Sequence, residues 1–225
     1  MLLLKQETGS IPIVFMSVSD PVGSGFVESL ARPGGNLTGF LLFEGSITGK
    51  WLEMLKEIAP QLKHVAFIAN PSPPYDYWLQ AARQPATALG IDLTPSPVGT
   101  REEVDRTIDA LAREPNSGLF FPPNNNMFVY WDLVLRLAAK YRLPAVFSER
   151  EMVEAGGLMA YYTDRRDQYR LAAGYVDRIL RGAKPADLPV QTPVKYGTII
   201  NLKTAKALGI NVPETLLATA DEVIE

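Results

Sequence analysis

The chain of 225 residues has no cysteine and a single histidine, His64. Without thiols there is no disulfide, no thiolate nucleophile and no sulfur-ligated metal, a composition compatible with the cytoplasm or the periplasm. One histidine rules out a metal site built on several imidazoles and leaves any Ser-His pair dependent on that residue. His64 opens an apolar run, away from the polar segments below, and reads as a strand-edge residue. Long hydrophobic runs are also missing. The N-terminal MLLLKQETGS has three leucines before Lys5, far short of a secretory core or a membrane span, so no export signal is read there. Neither charge is in excess: 22 Lys and Arg against 25 Asp and Glu give a formal net charge of -3. No strong field draws this chain to nucleic acid or to an anionic membrane.

What is present is a regular alternation. With 47% hydrophobic residues the chain can bury one large core or two smaller ones. Residues 2–7 resemble the last turn of a helix, and an apolar strand follows at residues 13–18. This strand stops at Ser19-Asp20-Pro21, passes Gly23-Ser24-Gly25 and enters a helical pattern that ends at Arg32-Pro33-Gly34-Gly35. A second apolar run covers residues 36–43. Ser46 can cap a helix over residues 48–58 with Trp51, Leu52, Leu55 and Ile58 on one face. Strands are then expected at residues 64–69, 91–95, 118–121 and 145–147, with helices at 76–89, 101–113 and 127–141 between them. After Gly156-Gly157 come a strand at 158–162 and a helix at 164–180 with Leu171, Tyr175, Val176 and Ile179 inward. A proline-rich connector, a strand at 196–200, a short helix closed by Gly209 and a polar-apolar tail complete the chain. Alternating strands and helices imply an α/β fold with parallel sheets covered by helices.

In open α/β sheets ligands bind at the carboxyl ends of the strands, and three such ends are polar: Ser19-Asp20-Pro21, Asn70-Pro71 and Pro123-Asn124-Asn125-Asn126. Free backbone N–H groups at a following helix can hold a carboxylate there, and Asp20 is an acceptor suited to an ammonium. Capping is the better account of any one of them; three together raise the share of ligand contact. Ser148 stands at a fourth such end. Aromatic residues cluster at Tyr75, Tyr77 and Trp78, at Phe128, Tyr130 and Trp131, and at Tyr161 and Tyr162; the last two, beside the glycines, are the better ligand candidates.

Gly23-x-Gly25 lacks the third glycine of a dinucleotide fingerprint and has no Gly-Lys-Ser/Thr after it, so no cofactor is called for. Glu149, Glu151 and Glu154 could pair for acid-base work, but Arg150, Arg165 and Arg166 make them a solvated ionic surface. No catalytic residue and no metal ligand is assigned, and the chain is not read as an enzyme.

The segments SDPVGSGFVESLARPGGNLTGF, GKWLEMLKEIAP, VAFIANP, ALAREPNSGLFFPP, VEAGGLMAYY, AAGYVDRILRGAKPADLPVQ and NLKTAKALGI together resemble ABC transporter substrate-binding proteins related to tryptophan-binding proteins. The resemblance runs over almost the whole chain. It implies a periplasmic-binding-protein fold of the first type: two α/β lobes joined by three crossovers, with a ligand captured between them by hinge closure. Residues 1–43 and 157–185 would form the remnant of the N-terminal lobe, and residues 44–156 and 186–225 the C-terminal lobe. The crossings would fall near residues 41–47, at Gly156-Gly157 and near residues 188–193.

The ligand implied is a small amino acid, aromatic in many members, and the protein partner is an ABC permease. Ser19 and Asp20 would contact the ligand from one side, Asn70, Pro71, Asn124 and Ser148 from the other, with Tyr161 or Tyr162 near its side chain. Such proteins usually begin with a signal peptide and several βα units that precede the strand at residues 13–18. The first lobe is therefore expected to be incomplete, with open edges that favour self-association. The location implied is the periplasm, or the cytoplasm if Met1 is the true start. A ligand-sensing regulatory module of the same fold, and an inactive truncated fragment, are the alternative readings.

Overall fold

The computed structural model describes every residue except Asn124, and of Asn125 and Asn126 the backbone alone. The elements in chain order are α1 (Leu2–Glu7), β1 (Ile13–Val18), β2 (Leu37–Leu41), α2 (Ile47–Ile58), β3 (His64–Ala69), α3 (Tyr75–Ala88), β4 (Asp92–Pro97), α4 (Arg101–Leu111), β5 (Ser117–Phe121), α5 (Trp131–Tyr141), β6 (Ala145–Phe147), α6 (Arg150–Glu154), β7 (Met159–Thr163), α7 (Arg165–Leu180), β8 (Tyr196–Asn201), α8 (Leu202–Leu208), α9 (Glu214–Thr219) and β9 (Glu222–Ile224). The chain divides into two compact units: unit 1 is Met1–Glu44 with Thr163–Tyr196, and unit 2 is Gly45–Tyr162 with Gly197–Glu225.

In unit 2 seven strands lie in the order β4-β3-β5-β6-β7-β8-β9. The register runs parallel from β4 through β3, β5 and β6 to β7, and again from β8 to β9. Side chains alternate between the two sheet faces. One face carries Ala66, Ile68, Leu119, Phe121, Ala145, Phe147 and Ala160 against Val104 and Ile108 of α4 and Leu133, Val134 and Leu137 of α5. The other carries Phe67 and Phe120 against Trp51 of α2, itself edge-on to Trp78 of α3. The stripe Trp51, Leu52, Leu55 and Ile58 is buried as its helical spacing predicts. α4 begins with a capping box in which Thr100 and Glu103 satisfy one another's backbone N–H groups, a device worth about 1 kcal/mol.

In unit 1, β1 and β2 pair in parallel. Val14, Met16 and Phe40 pack towards Ala172 and Tyr175 of α7, while Phe15, Leu37 and Leu41 pack with Val27 from the loop between the strands. Gly39 is paired with Phe15 so closely that a Cβ there would lie 2.0 Å from the Phe15 carbonyl oxygen. The register shifts between Phe15 and Val18, and Ser17 within that shift has φ 58°.

Several elements differ from the sequence pattern. The expected helix after Gly25 is a run of turns. Asp20 Oδ1 accepts from Gly23 N–H at 2.8 Å, the Ser29 hydroxyl and backbone bond to Arg32, and Pro33 then leaves too few residues for a costly helix nucleus. The helix expected from residue 127 is a 3₁₀ stretch over Asn125–Tyr130 followed by α5. On α7 the buried positions are Gln168, Ala172 and Tyr175, whereas Leu171 and Val176 are exposed; a polar residue holds the inward stripe because its amide has a backbone partner. The tail contains α9 and β9, the latter pairing with β8.

The unit boundaries also lie elsewhere than the sequence placed them. Residues 157–162 fall in unit 2 because Met159 and Ala160 pair with Val146 and Phe147 of β6. Residues 186–196 fall in unit 1, where Leu41 N–H donates to the Gln191 carbonyl and Gln191 N–H to that of Gly39, both at 2.9 Å.

Candidate functional site

The parallel strands β4, β3, β5, β6 and β7 of unit 2 end on one edge of the sheet, and Asn70, Pro71, Ser148, Tyr161 and Tyr162 stand at that edge, whereas Ser19 and Asp20 belong to unit 1. Continuing the pairs Phe67↔Phe120, Phe121↔Phe147 and Phe147↔Ala160 along their strands puts Ala69, Pro122, Ser148 and Tyr161 in one row. The next row holds Asn70, Pro123, Glu149 and Tyr162, and successive rows face opposite sides of the sheet. Tyr161 and Tyr162 therefore face opposite sides of the sheet, so at most one of the two expected alternatives lines a given wall. Asn124 lies outside the described residues.

Asn70 is half-buried and spends its Oδ1 on Ser72 N–H at 3.0 Å, shaping the turn that leads to α3. Pro71 is exposed in that turn and offers no donor. Ser148 is 2% exposed, and Glu149 next to it is also buried. That buried carboxylate was read in the sequence as part of a solvated ionic surface, because its flanking arginines are exposed-residue types.

Tyr161 sits on the side of α2: the buried Trp51 indole Nε1–H donates to its carbonyl at 2.8 Å. Burial, followed by the nearby Asp221 carboxylate, raises its phenol above the ordinary tyrosine range. Tyr162 packs partly on the α4–α5 side, and its ring lies over β8, where a Cβ at Gly197 would come within 2.6 Å of Cζ. Burial raises its phenol too, and the Arg150 guanidinium partly offsets this. Arg150 grips both carboxylate oxygens of Glu222 at 2.7 Å and reaches Glu154 at 2.6 Å. The Glu222 carboxylate holds Arg150 more firmly protonated than a free guanidinium. This network ties α6 to the tail strand β9 and fixes Tyr162 beside it. The long separation of Arg150 from Glu222 hid it from the sequence.

In unit 1, Ser19 is buried and Asp20 half-buried, directly after the register shift in β1. Asp20 shapes its own loop: Oδ1 takes Gly23 N–H and its carbonyl takes Ser24 N–H at 3.0 Å. One carboxylate oxygen thus has a structural task, and Oδ2 lies against Gly23, which has no room for a side chain. The capping role expected of Asp20 is present, in an Asx-type turn and not at a helix.

The aromatic clusters divide between packing and hydrogen bonding. Trp78 and Tyr75 are buried. Tyr77 OH accepts from Gly45 N–H at 2.7 Å, and Tyr130 OH donates to the Gly99 carbonyl at 3.0 Å. The Tyr75 hydroxyl is buried with no hydrogen-bond partner, and burial is the first cause of its raised phenol. His64 lies at the opposite end of β3, its Nδ1 3.5 Å from Asp92, so the strand-edge reading holds. Among the described residues no group of three or more His, Cys, Asp or Glu could hold a metal ion. No helix among them is long and apolar enough to cross a membrane.

Comparison with known proteins gives a consistent result. A tyrosine-binding protein from Clostridioides difficile is 29% identical over 205 residues, which are 89% of this chain and 58% of that relative's length. The chain thus spans little more than half of that relative. A Streptococcus pneumoniae ABC domain in complex with L-Trp superposes with a TM-score of 0.90 at 26% identity, covering 98% of this chain and 74% of the other. A Vibrio cholerae conserved domain protein gives the same TM-score and coverages at 29% identity. The α/β architecture is thus that of the type I periplasmic binding proteins, a family of binding proteins and not of enzymes. The family model for ABC transporter substrate binding proteins matches residues 2–224, and the chain belongs to that family.

Proposed function

We propose that this chain is the solute-binding component of an ABC importer and that its cargo is an aromatic L-amino acid. The observation that carries this reading is the likeness, over 98% of the chain at a TM-score of 0.90, to a domain in complex with L-Trp. The tyrosine-binding relative supports the same ligand class. The chemistry of the strand ends is compatible with it. An amino acid needs an acceptor for its ammonium, donors for its carboxylate and an apolar wall for its side chain. Asp20 is the acceptor in unit 1, with Ser19 beside it. In unit 2 the donor is the Ser148 hydroxyl, in the same row as Tyr161, which is the aromatic wall; Asn70, one row on and bonded to Ser72, shapes the turn at that edge. Tyr162, engaged with Arg150 and Gly197, is a support for that edge. The unit boundaries at residues 44, 162 and 196 serve as the crossovers of a hinge, and ligand binding is a shift in the closure equilibrium.

The permease of such an importer is the protein partner, and the periplasmic or extracellular side is the place of work. Tyr169, Val176 and Leu180 are exposed on α7, which favours association of the chain with itself at high concentration. Calorimetric titration of ligand-stripped chain with L-tyrosine, L-tryptophan, L-leucine and D-ribose tests the reading. Saturable binding of the aromatic pair supports it, and binding of ribose alone sinks it.

A further inference from the structure

The first turn of α7 is built in an unusual way. Its N-cap, Asp164, is the second residue of unit 1 after the chain returns from unit 2. Asp164 N–H donates to the Lys195 carbonyl at 3.4 Å, one residue before the last position of unit 1. Asp167, one turn on, has its Oδ1 3.7 Å from Lys195 Nζ and 2.6 Å from Arg170. Gln168 is 5% exposed, and its Nε2 donates to the Leu41 carbonyl at 3.0 Å, three residues before the first exit from unit 1. Leu41 is also held from its other side by the Gln191 carbonyl. A narrow cavity lined by Leu41, Asp164, Gln168, Gln191 and Lys195 lies among these groups. The Gln168 Oε1 is buried with no hydrogen-bond partner.

A buried amide that leaves one oxygen unsatisfied is a poor device for stability alone, since an apolar side chain of the same shape avoids that cost. Its placement has a different logic. The three segments on which the chain leaves or enters unit 1 are all anchored to one helical turn: Leu41 through Gln168, Asp164 by being the cap, and Lys195 through Asp164 and Asp167. We propose that Gln168, with Asp167, is a positioning residue that clamps the three crossover segments to α7, and so sets how readily the hinge of this binding protein closes. The clamp rests on the binding-protein reading for its consequence, but its local effect does not depend on any ligand.

The test uses the whole chain carrying Gln168→Met, which removes the amide at similar volume, and separately Asp167→Asn, which weakens the Lys195 and Arg170 pairings. Hydrogen exchange of the ligand-free protein is read first. The clamp predicts that Gln168→Met raises exchange at residues 41–44 roughly tenfold or more, and Asp167→Asn at residues 194–196, with β3, β5 and β6 unchanged. Unaltered exchange at these segments, or a uniform rise across the chain, overturns it. Titration with L-tyrosine and L-tryptophan is the second arm. A residue acting through the hinge shifts both affinities by the same factor, whereas a change in their ratio makes Gln168 a ligand contact and overturns the clamp. If the unmodified chain binds neither amino acid, the binding reading fails, and the exchange result alone decides the clamp.

Discussion

Trp51→Phe is the substitution on which the packing of unit 2 can be tested most sharply. Trp51 is fully buried, its ring lies 5.6 Å from Phe120 and 5.9 Å from Trp78, and its Nε1–H donates to the Tyr161 carbonyl at 2.8 Å. Phenylalanine keeps an aromatic ring but cannot donate. Removing the donor from a part-buried carbonyl costs about 1–2 kcal/mol, and the smaller ring leaves a void worth about 1 kcal/mol more. The expected loss is about 2–3 kcal/mol, which in a chain of this size lowers the melting temperature by roughly 4–12 °C. Urea denaturation followed by far-ultraviolet circular dichroism measures it without depending on tryptophan emission. Trp131→Phe, at a half-buried position, is the control, with an expected loss under about 1 kcal/mol. If Trp51→Phe melts within about 2 °C of the parent chain, the indole bond to β7 and the packing around Trp51 contribute little, which refutes this account of the unit 2 core.

Other outcomes follow from single contacts. Gly39→Ala drives a Cβ into the Phe15 carbonyl and is expected to cost more than about 2 kcal/mol, seen as lost exchange protection in β1 and β2 with unit 2 intact. Arg150→Met removes the cation that favours the Tyr162 phenolate. The phenol should then titrate at higher pH in ultraviolet difference spectra, and stability should fall by about 1 kcal/mol or less, since the pair is more than a third exposed. Asp109 is held below the usual carboxylate range first by the Tyr141 hydroxyl and then by Arg113. Its folded pKa is depressed, so its contribution is present above the unfolded pKa and is lost as pH falls through the folded value. Tyr141→Phe should flatten that acid limb in urea titrations at pH 2–5.

Much of the fold was legible because the pattern is repetitive. The stripe Trp51, Leu52, Leu55, Ile58 and the runs at residues 64–69 and 145–147 have one periodicity each and no competing turn chemistry. The misreadings have local causes. Residues 21–33 carry helix-compatible spacing, but Asp20, Ser29 and Pro33 offer the backbone closer partners than a helix would. On α7 hydropathy alone favoured Leu171 and Val176, while the buried stripe includes Gln168, whose burial depends on the Leu41 carbonyl 127 residues away in sequence. The unit 2 part of the candidate site, Asn70, Ser148 and Tyr161, was legible as a set of strand ends, because parallel strands deliver their termini to one edge. That Tyr161 and Tyr162 face opposite ways follows from the strand expected at residues 158–162, but which of them faces α2 depends on the pairing of β7 with β6. The Arg150–Glu222 pair joins α6 to β9 across 72 positions, beyond any spacing rule.

The central claim is that the chain binds an aromatic amino acid through its backbone charges and ring. Isothermal titration of chain that has been unfolded, washed free of ligand and refolded tests it directly. Saturable one-to-one binding of L-tyrosine or L-tryptophan is expected, much tighter than of D-tyrosine or tyramine, and weakened at least tenfold by Asp20→Ala, as loss of a charge-assisted bond requires. Absence of saturable binding to every aromatic L-amino acid, or equal binding of tyramine and tyrosine, would contradict it.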